Sequence, residues 1–479
     1  MGKFQAYQNT QWGQPKNARE AGRSDRPKRV LIIGNGFDLA HGLPTTYGDF
    51  LWFCELFREI GQKSIHDEKG ITEAMQAAAK ELLKNETDTS EQKRKLAVIP
   101  LFAGAVARTL HSPRKKTELS AEGGVWDEFR QMTDRNPWIR YFQEQLAEMK
   151  SMHKINWIDF ETEIAEVLRQ LTLLPEDTEL RTAVIQLKAK DEPFYYLIKN
   201  KYPKLYRLYD QWYKLTQDSR DKEIAALGSF ILTATKMADA KSFVEGLAEH
   251  LERLTRALEL FLSAVVRNIP VQKRYRMIEE IRPDYVLSFN YTDTFERLYL
   301  QETDQTDICY IHGKAETAHS TETCNMVLGT QETLQKSELP EEEEPALLVF
   351  KKYYQRIFKN TDSQYLDWLR RLSKSNQADR SADDVQLEVF VFGHSLDVTD
   401  QEVLRSFIYN AKCSTTVYYH IRPVMGTQIQ NLLRIIGQKD MIQMSGGSER
   451  KIRFIDQNEA EAEAERRAAE QEATADSPV

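Results

Sequence analysis

At 479 residues, with 41% hydrophobic and 29% charged side chains, the chain is long and apolar enough to bury a large core and is neither fibrous nor wholly disordered in composition. A formal net charge of -8 argues against the broad positive surface that grips nucleic acid, so direct nucleic-acid binding is not expected. Cys54, Cys309, Cys324 and Cys413 stand far apart, without a C-x-x-C pair or histidines at zinc spacing, which excludes a disulfide framework or zinc finger and points to free, mostly buried thiols in a reducing compartment.

Residues 1–28 are polar and mildly basic and lack the apolar core of a secretory signal, and Gly2 is not followed by the serine or threonine of a myristoylation site. No stretch approaches the ~18 uninterrupted apolar residues of a membrane span. A cytoplasmic location and a disordered N-terminus are expected. The first regular element is Arg29–Ile33 (RVLII), apolar enough for a central parallel strand covered on both faces, and it ends at Gly34. A helix is expected over Tyr47–Ile60, and helical periodicity continues for roughly 220 residues. Its clearest trace is the stripe Phe243, Leu247, Leu251, Leu254, Leu258, Phe261, Leu262 and Val265, spaced for core or coiled-coil packing. Asn156-Trp157-Ile158-Asp159 reads as a helix start, with Asn156 as cap and Asp159 in the first turn. Asp159, Glu161 and Glu163 then lie either on an exposed acidic helix, with Trp157, Phe160 and Ile164 inward, or on a helix that lids a pocket. The exposed helix is the simpler of the two.

Strands are expected again at Asp284–Phe289, Cys309–Ile311, Val327-Leu328, Leu387–Phe392, Thr415–Tyr419 and Lys451–Ile455. Helices at Thr294–Tyr299, Pro345–Phe358, Gln364–Leu372, Gln401–Ile408 and Thr427–Ile435 separate most of them. This alternation argues for an α/β fold, a parallel sheet with helices on both faces. The run Glu341–Glu344 reads as a solvated loop, and the tail after Asp456 as an exposed helix at most. The organisation expected is one α/β domain over 29–457, interrupted by a helical insertion at about 60–282 after the first strand, with a charged tail over 458–479.

Chemistry is concentrated at strand ends. Gly34-Asn35-Gly36-Phe37-Asp38 follows the first strand, and a glycine turn there exposes backbone N–H groups to a phosphate. The dehydrogenase fingerprint needs a third glycine where Leu39 stands, and no strand ending in an acid follows ~20 residues later, so a nicotinamide dehydrogenase is disfavoured. Three more expected strands end in polar or glycine clusters: Phe289-Asn290-Tyr291-Thr292-Asp293, Ile311-His312-Gly313 and Phe392-Gly393-His394-Ser395. Singly, Asn290 suits a turn, His312 a satisfied core position and Ser395 a helix cap. Open parallel sheets bind ligands beyond the carboxyl ends of their strands, and four such clusters together point to one nucleotide site.

The segments Gly34–Phe50 (GNGFDLAHGLPTTYGDF), Ser288–Tyr299 (SFNYTDTFERLY), IHGK from Ile311 and FGHSLDVTD from Phe392 resemble the AbiH family of bacteriophage abortive-infection proteins. The resemblance runs from about Val30 to Tyr419 and takes in Asn156–Ile164. More distantly, the interval from Gly34 to Gly42-Leu43-Pro44, with Asn290, His312-Gly313 and Gly393-His394-Ser395-Leu396-Asp397-Val398, is similar to the motif set of the wider sirtuin-like superfamily. That resemblance implies a sirtuin-like, Rossmann-type fold with NAD as substrate or ligand. It implies cofactor binding by Gly34, Asn35, Gly36, Phe37 and Asp38, with Gly34 and Gly36 against the pyrophosphate. Gly393 and Ser395 would line the adenosine side, Asn290 and His312 would be catalytic at the nicotinamide ribose, and Asp293 would hold the carboxamide. Thr292 stands where sirtuins carry the aspartate of N-x-D, and Asp38 brings a carboxylate to a phosphate site. The four-cysteine zinc module of sirtuin deacetylases is missing, so no metal is expected and protein deacetylation is disfavoured.

The function implied is a phage-defence effector that hydrolyses NAD to nicotinamide and ADP-ribose, responding to a phage-derived trigger and assembling as a homo-oligomer. The alternatives are a non-catalytic sensor of NAD or ADP-ribose, and an assembly platform built on the helical insertion.

Overall fold

The computed structural model describes residues 26–63, 65, 67–84, 86–110, 124–151, 158–173, 177, 199–216, 241–330, 345–377, 387–409 and 413–475. Six strands form one sheet: β1 (Lys28–Ile33), β2 (Tyr285–Ser288), β3 (Asp307–Tyr310), β4 (Leu387–Phe392), β5 (Cys413–Tyr419) and β6 (Ile452–Asp456). They run parallel in the Rossmann-like order β3-β2-β1-β4-β5-β6. The winding reverses beside β1, where Ile33 is level with Ser288 on one neighbour and Phe392 on the other.

The apolar run of β1 serves both faces of the sheet, because successive side chains of a strand point to opposite sides. Leu31 and Ile33 join Phe37, Ile278, Phe295 and Ala464 on one side, while Val30 and Ile32 join Trp368, Leu404, Phe407 and Leu432 on the other. All four cysteines are buried and free. Among the described residues, no helix is long and apolar enough to cross a membrane.

Every described element between β1 and β2 is helical. Those that matter below are α1 (Asn35–Ala40), α2 (Tyr47–Ile60), α3 (Phe160–Leu173), α4 (Lys241–Leu260) and α5 (Arg276–Ile281). After β2 come α6 (Thr294–Tyr299), α7 (Lys352–Phe358), α8 (Gln401–Ile408), α9 (Arg422–Ile436) and α10 (Gln457–Ala475). The Thr46 hydroxyl and Asp49 carboxylate exchange bonds with each other's backbone N–H, a capping box that starts α2. Leu247, Leu251, Leu254, Leu258, Phe261, Leu262 and Val265 are buried in a second core with Phe50, Phe53 and Phe160. The stripe is core packing, as its period implied; the side chain of Phe243 lies outside the described residues. Cys324, Met326, Leu328 and Phe350 belong to the same core, so the helices pack directly on the segment that follows β3. Phe160 is sandwiched between Tyr47 and Phe142, with ring centroids 4.1 and 4.0 Å away, and this stack brings α3 to the sheet's carboxyl edge.

Four sequence expectations need correction. Val327-Leu328 is not a strand: its N–H groups donate to the His312 carbonyl (2.9 Å) and to Gln355 Oε1 (3.0 Å) instead of to a ladder. Pro345–Phe358 is two elements, a 3-10 turn to Phe350 and α7 from Lys352, because Lys352 N–H reaches the Thr330 carbonyl at 3.0 Å. The start of α3 is capped by Asp159, whose Oδ1 accepts the Glu161 N–H at 3.0 Å; Asn156 and Trp157 lie outside the described residues, as does Glu341–Glu344. The tail helix α10 is docked rather than exposed. Ala464 is fully buried on the sheet's helical cover, and Glu461 accepts the N–H groups of Arg276 (2.9 Å) and Met277 (3.0 Å) at the start of α5.

Glu461 thus caps a helix other than its own. Glu461→Ala should lower unfolding stability by about 1 kcal/mol, the usual loss for a cap. Equilibrium urea unfolding checks this, and an unchanged midpoint would dismiss the docking role.

Candidate functional site

Backbone hydrogen bonds gather the expected strand ends. Phe289 N–H donates to Ile33 O at 2.9 Å, and Ile311 N–H to Ser288 O at 2.9 Å. At the reversal the two glycine turns are pressed together: Gly36 N–H donates to Gly393 O at 2.8 Å, and Gly34 N–H to Phe392 O at 3.4 Å. A Cβ on Gly36 would sit 2.8 Å from Gly393 Cα, and one on Gly393, whose φ is +67°, would sit 2.1 Å from Phe37 N. Close approach therefore demands both glycines. The N–H groups of Gly34 and Gly36, expected to face a phosphate, are paired within the protein.

The other expected residues divide by environment. Phe37 is fully buried, its ring against His41, Phe295, Tyr299 and Phe392, and works as packing. Asn35 is exposed, and its Oδ1 accepts the Thr45 hydroxyl at 2.6 Å. Ser395 is also exposed, its carbonyl held by Asn431 Nδ2 at 3.0 Å. Asp293 is held by Arg267 (2.8 Å) and Arg297 (3.1 Å), which engage both carboxylate oxygens.

Asp38, Asn290 and His312 are different, because each is buried and each presents a polar atom with no partner. Asp38 accepts the Thr292 hydroxyl at 2.7 Å on Oδ2, while its buried Oδ1 has none. Burial pushes its carboxyl up to about 6, against the pull of the hydrogen bond from Thr292. The carboxylate missing at Thr292 is thus supplied beside it from the β1 turn. Asn290 is fixed through its backbone, which exchanges bonds with the Ser288 hydroxyl, and leaves Nδ2 buried and unpaired.

His312 sets Nε2 3.1 Å from Asp400 Oδ1, and its Nδ1 is buried without a partner. Burial and the nearby Lys352 charge hold its pKa down to about 4, so the ring is neutral at pH 7. An ionised carboxylate only accepts, so Nε2 carries the proton and Nδ1 keeps a lone pair. Asp400 is itself drawn well below the carboxylate range: burial opposes this, but Lys352 and bonds from His312 and His394 outweigh it.

Sequence reasoning missed the network behind His312. Lys352 Nζ lies 2.7 Å from Glu161 and 3.5 Å from Asp400 Oδ1, and His394 Nε2 lies 3.6 Å from Asp400 Oδ2. His394 Nδ1 accepts the Leu396 N–H at 2.8 Å, which fixes Nε2 as the donor. Glu161 is pushed up to about 7 by burial, although Lys352 pulls it down. Glu163 is only 2% exposed and accepts the Tyr141 hydroxyl and Lys204. Glu161 and Glu163 are therefore not on a solvated face, because each carboxylate is paired with a lysine. Asp400 ends FGHSLDVTD and Glu161 lies in FETEI, so both were within view, but Lys352 carried no sequence signal.

A family model described as bacteriophage abortive infection AbiH matches residues 30–420, which contain every side chain of this cluster. No curated protein and no solved structure matches the chain.

Asp38 gives the cluster a pH signature. Its folded-state pKa lies above the ordinary 3.8, so the folded protein keeps a proton that the unfolded chain releases, and stability falls as pH rises from about 4 through 6. Between pH 4 and 8, Asp38→Asn should gain about 2–3 kcal/mol relative to the wild type, measured by denaturant unfolding at each pH. A pH-independent difference would contradict the assigned environment.

Proposed function

Because the chain belongs to the AbiH family of bacteriophage abortive-infection proteins, with a role in that defence, we propose that it acts by hydrolysing NAD to nicotinamide and ADP-ribose. The observation that carries this reading is the trio of buried, unpartnered atoms, Asp38 Oδ1, Asn290 Nδ2 and His312 Nδ1, at the ends of β1, β2 and β3. Leaving a buried polar atom unpaired costs about 1–3 kcal/mol, so three of them beyond neighbouring strands of one sheet suit a ligand that completes them. A ribose, bearing both donors and acceptors, fits that pattern. The sirtuin-like spacing of Gly34, Gly42, Asn290 and His312 supports NAD as its source.

The chemistry follows from the three groups. As the nicotinamide–ribose bond breaks, its electron pair stays on the ring nitrogen, which becomes neutral, and positive charge develops on the ribose. Asp38, ionised above about pH 6, stabilises that charge. Asn290 Nδ2 orients a ribose hydroxyl or the attacking water. Water oxygen bonds to the ribose carbon and its proton passes to His312 Nδ1, while Asp400 steadies the resulting imidazolium through Nε2–H. Solvent then takes the proton.

A second reading, a sensor that binds NAD or ADP-ribose without cleaving it, draws on two facts. The Gly34 and Gly36 N–H groups are paired internally, and Asp293 is held by two arginines.

The two are separated by incubating the purified protein with NAD, with and without phage-infected lysate, and following nicotinamide release. Wild type should release nicotinamide at a rate that rises with pH and levels off above about 7, and Asn290→Ala and His312→Ala should each lose at least ~100-fold. Calorimetric binding without release supports the sensor. Neither binding nor release sinks both.

A further inference from the structure

Arg356 is a cation that no carboxylate among the described residues neutralises. It lies on α7, one turn beyond Lys352. Its Nε is buried and has no hydrogen-bond partner, and among the described residues no carboxylate pairs with its guanidinium. The neighbouring cations are satisfied: Lys352 by Glu161, and Lys359, just past the helix, by Glu252 at 2.7 Å and the Met326 carbonyl at 2.8 Å. Lys352, one turn earlier on the same helix, sets Nζ 3.5 Å from Asp400 Oδ1, which His312 meets at 3.1 Å, so Arg356 follows on toward the same side, and its charge disfavours protonation of His312. Burying part of a guanidinium without an anion is unfavourable, and Asp38, Asn290 and His312 likewise carry buried polar atoms without a partner.

The glycine turn sharpens the question of what Arg356 meets. A nucleotide brings phosphate charge, yet the Gly34 and Gly36 N–H groups are engaged with Phe392 and Gly393, and the Asp38 carboxylate lies on the next turn of chain. The phosphate needs another partner. A guanidinium offers parallel N–H donors that match the oxygens of a phosphate, with a charge that persists at every relevant pH.

We propose that Arg356 binds a phosphate of the ligand, so that this site selects nucleotides over the corresponding nucleosides. The proposal rests on the NAD reading for the identity of the ribose but not for the anion, and the two fail separately. On the full-length protein, calorimetry with inorganic pyrophosphate and with ADP-ribose should show binding to wild type that weakens at least tenfold in Arg356→Gln. Arg356→Lys, which keeps the charge and loses the fork, should fall between. In the nicotinamide assay, Arg356→Gln should lower kcat/KM for NAD at least tenfold more than it lowers kcat/KM for nicotinamide riboside, which has no phosphate. Equal thermal midpoints for the three proteins certify that the fold is intact; should Arg356→Gln unfold, the lysine variant carries the comparison. If wild type binds both anions more tightly than Arg356→Gln but releases no nicotinamide, hydrolysis fails and the Arg356 assignment stands. The assignment is overturned if wild type binds neither anion, if the substituted proteins bind both as well as wild type, or if riboside and NAD lose activity equally.

Discussion

Two glycine turns, one after β1 and one after β4, touch with no side chain between them. The Gly36–Gly393 hydrogen bond of 2.8 Å closes the sheet at the point where its winding reverses. Open sheets of this order present ligands to that reversal, where loops from both halves diverge. In this protein the loops meet, and their backbone donors are spent on each other. What the contact does is aim side chains: Asp38 is carried inward to Thr292, and His394 is turned so that Nε2 faces Asp400. The binding chemistry passes from backbone to side chains as a result.

A second constraint joins the helices to the sheet. Glu161 from α3, Lys352 from α7 and Asp400 after β4 form a buried chain of alternating charge that ends on His312. Removing one member of such a chain leaves an uncompensated charge in a poorly solvated place, typically at a cost of about 3–5 kcal/mol. The helices are therefore electrically part of the site. Lys352 and His312 share Asp400 Oδ1, so the position of Glu161 bears on how firmly His312 is held.

Much of the fold was legible in the sequence because it depends on local patterns. The strand cores of β1, β2, β4 and β5, the helices that alternate with them, and the α4 stripe all follow from hydrophobic period. Two of the errors share one cause. Val327-Leu328 has a strand's composition but its N–H groups find partners on His312 and Gln355, and α10 has the charge of a free tail while its Ala464 and Glu461 find a surface to cover. In each, a distant partner decided what local propensity left open.

The candidate site divides the same way. Glycines at turns and polar residues at strand ends are set by the chain's own neighbours, so Gly34, Gly36, Asn290, His312 and Gly393 were readable as strand-end residues, and the family they signal follows from their intervals. Whether a given polar atom is buried and unpaired is not a local property. Only the packed structure pairs Asp293 with Arg267 and Arg297, buries Phe37 in the core, leaves Asp38, Asn290 and His312 each with an unsatisfied atom, and carries Lys352 and Glu161 across the chain to Asp400. Sequence fixed the kinds of residue at the strand ends; desolvation and distant charges decided which of them remain available to a ligand.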